Sequence, residues 1–164
     1  MRRKDKQVSE RPEIDAIIRG CQVCHLAMAV DNVPYVVPLC FGYDGAYLYV
    51  HMAGSGKKID CLTANPRVCF QMQRGVRLIS GGAEPCNWSF HFESVIASGR
   101  AEELHSDEEK ARALGWIVSQ YAGKDVGPVP PSAGLRVWRI AIDEISAKRS
   151  PPGPPTPQPK NVSP

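Results

Sequence analysis

Several things are missing from this chain, and each absence removes a class of function. No apolar run approaches the roughly 18 residues that a membrane-crossing helix needs. A net charge of +3, with part of the positive charge in the opening MRRKDK, leaves no continuous basic face for nucleic acid. Behind that basic start no apolar segment of about 7–15 residues follows, so the expectation is a cytoplasmic protein without a secretory leader. The pattern G-x-x-x-x-G-K-[ST] is absent, which argues against a triphosphate loop of the Walker type. G-x-S-x-G is absent as well, and with it the nucleophile elbow of many hydrolases. No internal repeat is visible. What remains, with 164 residues, 43% hydrophobic and 23% charged, is an ordinary globular chain long enough for one core.

Cysteine is not scarce, and one pair is suggestive. Cys21-Gln22-Val23-Cys24-His25 matches C-x-x-C-H, the short signal for covalent haem attachment. Cys24 alternates with Leu26, Met28 and Val30, however, which puts it on one face of a strand and His25 on the other. Haem attachment needs both sulfurs on one accessible loop, so both cysteines are expected to be buried thiols. Cytoplasmic cysteines are normally reduced. Cys40, Cys61, Cys69 and Cys86 supply no second C-x-x-C, and no metal site is expected.

Along the chain, residues 1–11 read as a flexible basic arm and 12–148 as the folded domain. Residues 149–164 read as a disordered tail, its last fourteen residues holding seven prolines. Ile14, Ile17, Ile18 and Cys21 fall at helical spacing behind Pro12, with Gly20 at the end. The period then changes to two. VCHLAMAV, PYVVPLCFGY and AYLYVHMA are strands joined by turns at Asp31-Asn32 and Asp44-Gly45, Pro34 and Pro38 marking an edge. GSGKKIDCLTANP is a glycine loop and short helix that stops at Asn65-Pro66. RVCFQMQ is a strand, Arg74 to Asn87 an irregular glycine-rich segment, and WSFHFESVIASGRAEEL a long strand. Ser106 and Glu109 form a capping box for a helix whose inward residues are expected to be Ala111, Leu114, Val118 and Tyr121. LRVWRIAIDEIS is the last strand. The order β-β-β-α-β-β-α-β predicts a mainly β, six-stranded antiparallel barrel with peripheral helices.

The stretch with chemistry in it is Tyr49 to Lys58. A strand enters a glycine loop whose exit is the N-terminus of a helix carrying two lysines. Free N–H groups, the helix dipole and full positive charge suit a phosphate monoester. A plain loop with solvated lysines would read the same.

The run PYVVPLCFGYDGAYLYVHMAGSGKKIDCLTANPRVCF resembles the FMN-binding split-barrel family related to pyridoxamine 5′-phosphate oxidase, and within it the nitroimidazole-resistance reductases. The matching pieces are P-Y-V-V-P-L at 34–39, Y-x-H at 49–51, G-x-K at 56–58, N-P-x-V-C-F at 65–70 and ESVIASGRAEEL at 93–104. The resemblance implies a homodimer with FMN in a cleft at the subunit interface. It assigns the FMN phosphate to Gly56, Lys57 and Lys58, and the isoalloxazine to Val37, Pro38 and Leu39. His51, the candidate catalytic residue, would sit beside the flavin with Met52 and Ala53, and Ser94 and Val95 would approach from the partner subunit. Trp138 is a weaker candidate, an inward strand aromatic. VWRIAIDEIS stands where the oxidases carry part of their substrate-phosphate set, which leaves nitro-group reduction as the leading reaction. The alternatives are a non-enzymatic FMN carrier or sensor, a haem-binding split barrel served by His25, His51 or His91, and a structural dimer with an empty cleft.

Overall fold

Alternating patterns of this kind bury one face of each strand, and in a computed structural model of the chain they close on one another. Residues 4–150 are described. A single-turn 3-10 helix at Lys4–Lys6 leads into strand β1 (Gln7–Val8), helix α1 (Arg11–Arg19), β2 (Cys24–Val30), β3 (Val33–Leu39), β4 (Gly42–Tyr43) and β5 (Tyr47–Met52). Helix α2 (Lys57–Ala64), β6 (Arg67–Ile79), β7 (Ser89–Leu104), α3 (Asp107–Ala122) and β8 (Arg136–Arg149) complete the order. The sheet runs β3-β2-β6-β7-β8-β5-β4, all antiparallel, with β1 added to β8. Its two ends, β3 and β4, are consecutive in the chain, and the result is a split barrel with peripheral helices.

Eight strands stand where six were expected. The six principal ones match, and the extra two are short. β4 is the end of the expected second strand, cut off at Cys40-Phe41. β1 lies inside the stretch expected to be a loose arm. Its Gln7 and Val8 pair with Lys148 and Ala147, and Val8 is buried, because a two-residue strand can extend an edge that a longer strand exposes. The proline-rich tail lies outside the described residues. β6 also continues through the segment expected to be irregular. Its register shifts between Arg74 and Arg77, with Gly75 at φ 62°, and a bulge of that kind keeps a glycine-containing strand paired.

The turns and edges behave as the residue types demand. Asp31 and Asn32 take left-handed φ of 50° and 62° in the β2–β3 hairpin. Pro34 and Pro38 sit on β3, whose outer side has no neighbour to ask for their missing N–H. Leu26, Phe41, Leu48, Val50, Phe70, Met72, Val95 and Ile140 fill the barrel without exposure. Ile14, Ile17 and Ile18 of α1 join that core, and Leu104, Leu114, Ile117 and Val137 form a second cluster beneath α3. The capping box at Ser106 forms, its hydroxyl accepting the Glu109 N–H.

The inward face of α3 is Ala113, Leu114, Gly115 and Ile117, while Val118 and Tyr121 are exposed. The expected face was rotated by one position. Gly115 is where the returning chain passes: a Cβ there would lie 2.2 Å from the Gly127 carbonyl oxygen. Tyr121 instead works at its tip, where the hydroxyl accepts the Phe41 N–H and donates to the Gln22 carbonyl. Beside it Gln120 Nε2 donates to the carbonyls of Arg19 and Cys21, both at 3.0 Å, which satisfies the end of α1.

Glu93 ties three elements together. Its carboxylate accepts from Arg74 Nε and Arg149 Nε, both at 2.6 Å, and Arg149 reaches on to Glu13 of α1 at 2.9 Å. Burial alone would raise the Glu93 pKa, but the hydrogen bonds from Arg149 and Arg74 hold it below its ordinary value. A lowered folded pKa means that this stabilisation is full above about pH 4.5 and is lost as pH falls through the folded value. Glu93→Gln should therefore lower stability at pH 7 and flatten its decline as pH falls below about 4.5, as urea unfolding across the acid range would show. An acid limb as steep as that of the parent would contradict this role.

Candidate functional site

The strand-to-glycine-loop stretch folds as its residue types require. β5 ends at Met52, and Gly56, the N-cap of α2, has φ 126° and ψ 169°, a conformation that other residues avoid. Nothing lies within 4 Å of where its Cβ would stand, so backbone freedom, not space, selects glycine. The N–H groups of Ile59 and Asp60 bond back to the Gly56 carbonyl at 2.9 and 3.2 Å. The N–H groups of Lys57 and Lys58 have no partner among the described residues, and they open the first turn, where the helix dipole favours an anion. Lys58 is half-buried and has no carboxylate partner among the described residues. Asp60, one position past Ile59, is the opposing charge in that turn.

Lys57 is placed differently. Its ammonium sits 4.6 Å above the Tyr35 ring on β3, a cation–π contact that joins the helix start to the strand carrying Val37, Pro38 and Leu39. Tyr35 was not among the expected site residues, and a contact between residues so far apart in sequence leaves no local pattern to find it by. Val37 and Leu39 pack half-buried against the barrel core, while Pro38 points outward.

The remaining candidates divide by face. Met52 is buried in the barrel. His51 points the other way, paired across the strands with Val137 of the second cluster, and its Nδ1 is closed off without a partner. Ala53 is exposed at the loop entrance. Val95 is fully buried in the barrel, which leaves only its backbone to meet a ligand outside, and Ser94 faces outward half-buried. Both lie on β7, separated from β3 by β2 and β6, about 14 Å at ordinary strand spacing. Trp138 belongs to the core, its Nε1 also unpartnered. The structure therefore joins the start of α2 to β3 through Lys57 and Tyr35, and leaves Ser94 three strand spacings from β3 within one chain.

The C-x-x-C-H segment resolves as expected on its cysteines. Cys21 and Cys24 are buried and unbridged. Burial pushes the Cys21 thiol up to about 11 and the Cys24 thiol up to about 12. His25 lies on the opposite face of β2 from Cys24.

A family model described as pyridoxamine 5′-phosphate oxidase matches residues 10–149. Among solved structures, a candidate 5-nitroimidazole antibiotic resistance protein of Bacteroides thetaiotaomicron VPI-5482 is 28% identical, with a TM-score of 0.73 over 87% of this chain and 85% of that one. A FAD-binding protein of Mesorhizobium loti is 30% identical, with a TM-score of 0.65 over 89% of this chain and 98% of that one. An uncharacterized protein of Rhizobium meliloti (strain 1021) is 31% identical over 98 residues, 60% of this chain and 57% of that protein, so the match spans little more than half of the relative.

Thiolate is the reactive form of cysteine. At pH 8 a thiol reagent should modify the exposed Cys40 and Cys86 rapidly and leave Cys21 and Cys24 unmodified until denaturant is added, as peptide mass mapping would report. Rapid native labelling of Cys21 or Cys24 would show that the pair is accessible after all.

Proposed function

Because the chain belongs to the pyridoxamine 5′-phosphate oxidase family, we propose that it is an FMN-binding flavoprotein, an oxidoreductase acting on a small molecule. The observation that carries this reading is the start of α2. Two N–H groups and a half-buried lysine with no partner among the described residues meet there with a glycine in a glycine-only conformation at the end of a strand. That donor set fits a phosphate monoester dianion. The similarity to the FAD-binding protein of Mesorhizobium loti supports a flavin as its bearer.

When bound, flavin supplies the electron and hydride chemistry. The chain's own residues do the rest. Lys58 and the N–H groups of Lys57 and Lys58 hold the phosphate, and Tyr35 holds the Lys57 side chain against β3. Pro38, with the backbone of Val37 and Leu39, offers one wall, and Ala53, with the backbone of Met52, another. His51, whose buried Nδ1 has no partner among the described residues, is the group to donate to the ring or pass a proton to substrate. Similarity to the Bacteroides thetaiotaomicron protein favours nitro-group reduction as the reaction.

A second copy of the chain completes the site in this reading. Register places Val36, Ala27, Cys69 and Ser98 in one row across the outer face of the sheet, and Pro38, His25, Gln71 and Ile96 in the next. Neither row holds a Lys, Arg, Asp or Glu, and Val36 and Ile96 are at least half exposed. A charge-free face of that kind is what the core of an interface needs. Ser94 adjoins it on β7 and would reach the partner's cofactor from there. Three exposed free thiols suit the reducing cytoplasm.

The deciding measurement is the visible spectrum of protein purified without added cofactor, followed by acid release of the pigment. Flavin bands, released FMN and reoxidation of the reduced protein by a nitroimidazole are expected; a Soret band would overturn the reading in favour of haem. Lys58→Ala should weaken FMN at least tenfold, the about 1.5–3 kcal/mol of a charged hydrogen bond, and an unchanged fluorescence titration would remove the phosphate assignment. Ile96→Asp should convert a dimer to monomer in light scattering, and an unchanged mass would place the interface elsewhere.

A further inference from the structure

A cleft opens where the end of α1 meets the bulge in β6. It has a volume of about 440 Å³ and is lined by Gly20, Gln22, Val23, His25, Gln73, Arg74, Gly75 and Val76. That volume falls within the range of small-molecule sites. The cleft owes its existence to two backbone features: the end of α1 at Gly20, and the register shift after Arg74, which turns Gly75 and Val76 away from the barrel.

Its lining is polar without being charged overall. Arg74, the one cation, is already spent: Nε donates to Glu93 at 2.6 Å and Nη1 to the Ala16 carbonyl at 2.8 Å. What is unspent is neutral. Gln22 has no side-chain partner among the described residues. Gln73 Oε1 accepts from Gln71 at 3.3 Å, which leaves its NH2 free. The His25 side chain has no hydrogen-bond partner among the described residues, and its Nδ1 is shut away from solvent, so its remaining capacity at Nε2 belongs to the cleft. Buried imidazole nitrogens are rarely left unpaired without a reason. Two half-exposed valines, Val23 and Val76, add apolar surface to the same space.

We propose that this cleft binds a neutral, planar nitrogen heterocycle of the adenine class. Its ring would lie against Val23 and Val76, and its edge would pair with the carboxamides of Gln22 and Gln73 and with His25. A carboxamide presents a donor and an acceptor side by side, the arrangement with which glutamine pairs with adenine in two hydrogen bonds. The absence of an uncommitted charge selects against a bare carboxylate or phosphate. Such a base has two sources: the far half of FAD, since His25 is the cross-strand neighbour of Pro38 on the proposed flavin wall, or a separate adenine nucleotide. Apart from His25, which shares a row with Pro38, none of the lining residues belongs to the proposed flavin site or to the interface rows, so binding in the cleft can be tested apart from the flavin reading.

The test is equilibrium dialysis of labelled adenosine against the full chain, with and without FMN, beside Gln73→Ala and Val76→Asp. Adenosine should bind, each substitution should weaken it at least tenfold, and FMN affinity should stay within twofold in both variants. FAD that excludes adenosine identifies FAD as the source, and adenosine that still binds the FAD-loaded protein identifies a separate nucleotide. No adenosine uptake by protein that takes up FMN, or uptake indifferent to both substitutions, overturns the assignment. Adenosine uptake without any flavin binding would sustain it and remove the flavin reading instead.

Discussion

The pairing of β7 with β8 is the constraint on which the remaining structure depends. These strands, of 16 and 14 residues, pair from Glu93–Arg149 to Leu104–Val137. Two flat strands of that length would not close a barrel, and the ladder bends at one point, where the register shifts between Ser98 and Gly99. A Cβ at position 99 would lie 2.0 Å from the Ala141 carbonyl oxygen, so the bend requires a residue without one. Beyond it the sheet turns, β8 meets β5, and the end of β5 delivers His51 and the glycine loop. The position of the glycine loop is thus set by a glycine on a distant strand.

Charge in this molecule is mostly used to fasten elements. Glu93 holds the base of the β6–β7 hairpin, the end of β8 and, through Arg149, helix α1. Arg136 and Glu103 join β8 to β7 in the same manner. At the start of α2, Lys57 is anchored on an aromatic ring, and Lys58, like Lys110 and Lys148, is half-buried with no carboxylate partner among the described residues. Ion pairs at the surface contribute little stability individually. What distinguishes Lys58 is its place beside the glycine-only conformation of Gly56 and the open first turn of α2, where the helix dipole favours an anion.

The start of α2 and the cleft beside β6 differ in what they can recognise. The first offers full charge and free N–H groups, and the second offers carboxamides, an imidazole and apolar surface. In the proposed dimer, a ligand held by both copies would tie their assembly to its own affinity.

Much of this was legible in the residues themselves. Period-two alternation located the six long strands, Asp31-Asn32 and Asp44-Gly45 located hairpins, the prolines of β3 marked an edge, and Gly56-Lys57-Lys58 marked a helix start. Each of these depends on the local backbone preferences of the residue concerned, which neighbours in space do not alter. Tertiary structure decided the rest. The inward face of α3 was set by the chain that crosses Gly115, the two-residue β1 by a free edge on β8, and the continuation of β6 by a partner strand that tolerates a bulge. The cation–π contact of Lys57 with Tyr35 and the cleft around His25 arise from strands and helices meeting across long sequence separations. Local preference carries no information about such meetings, because they exist only after the barrel has closed.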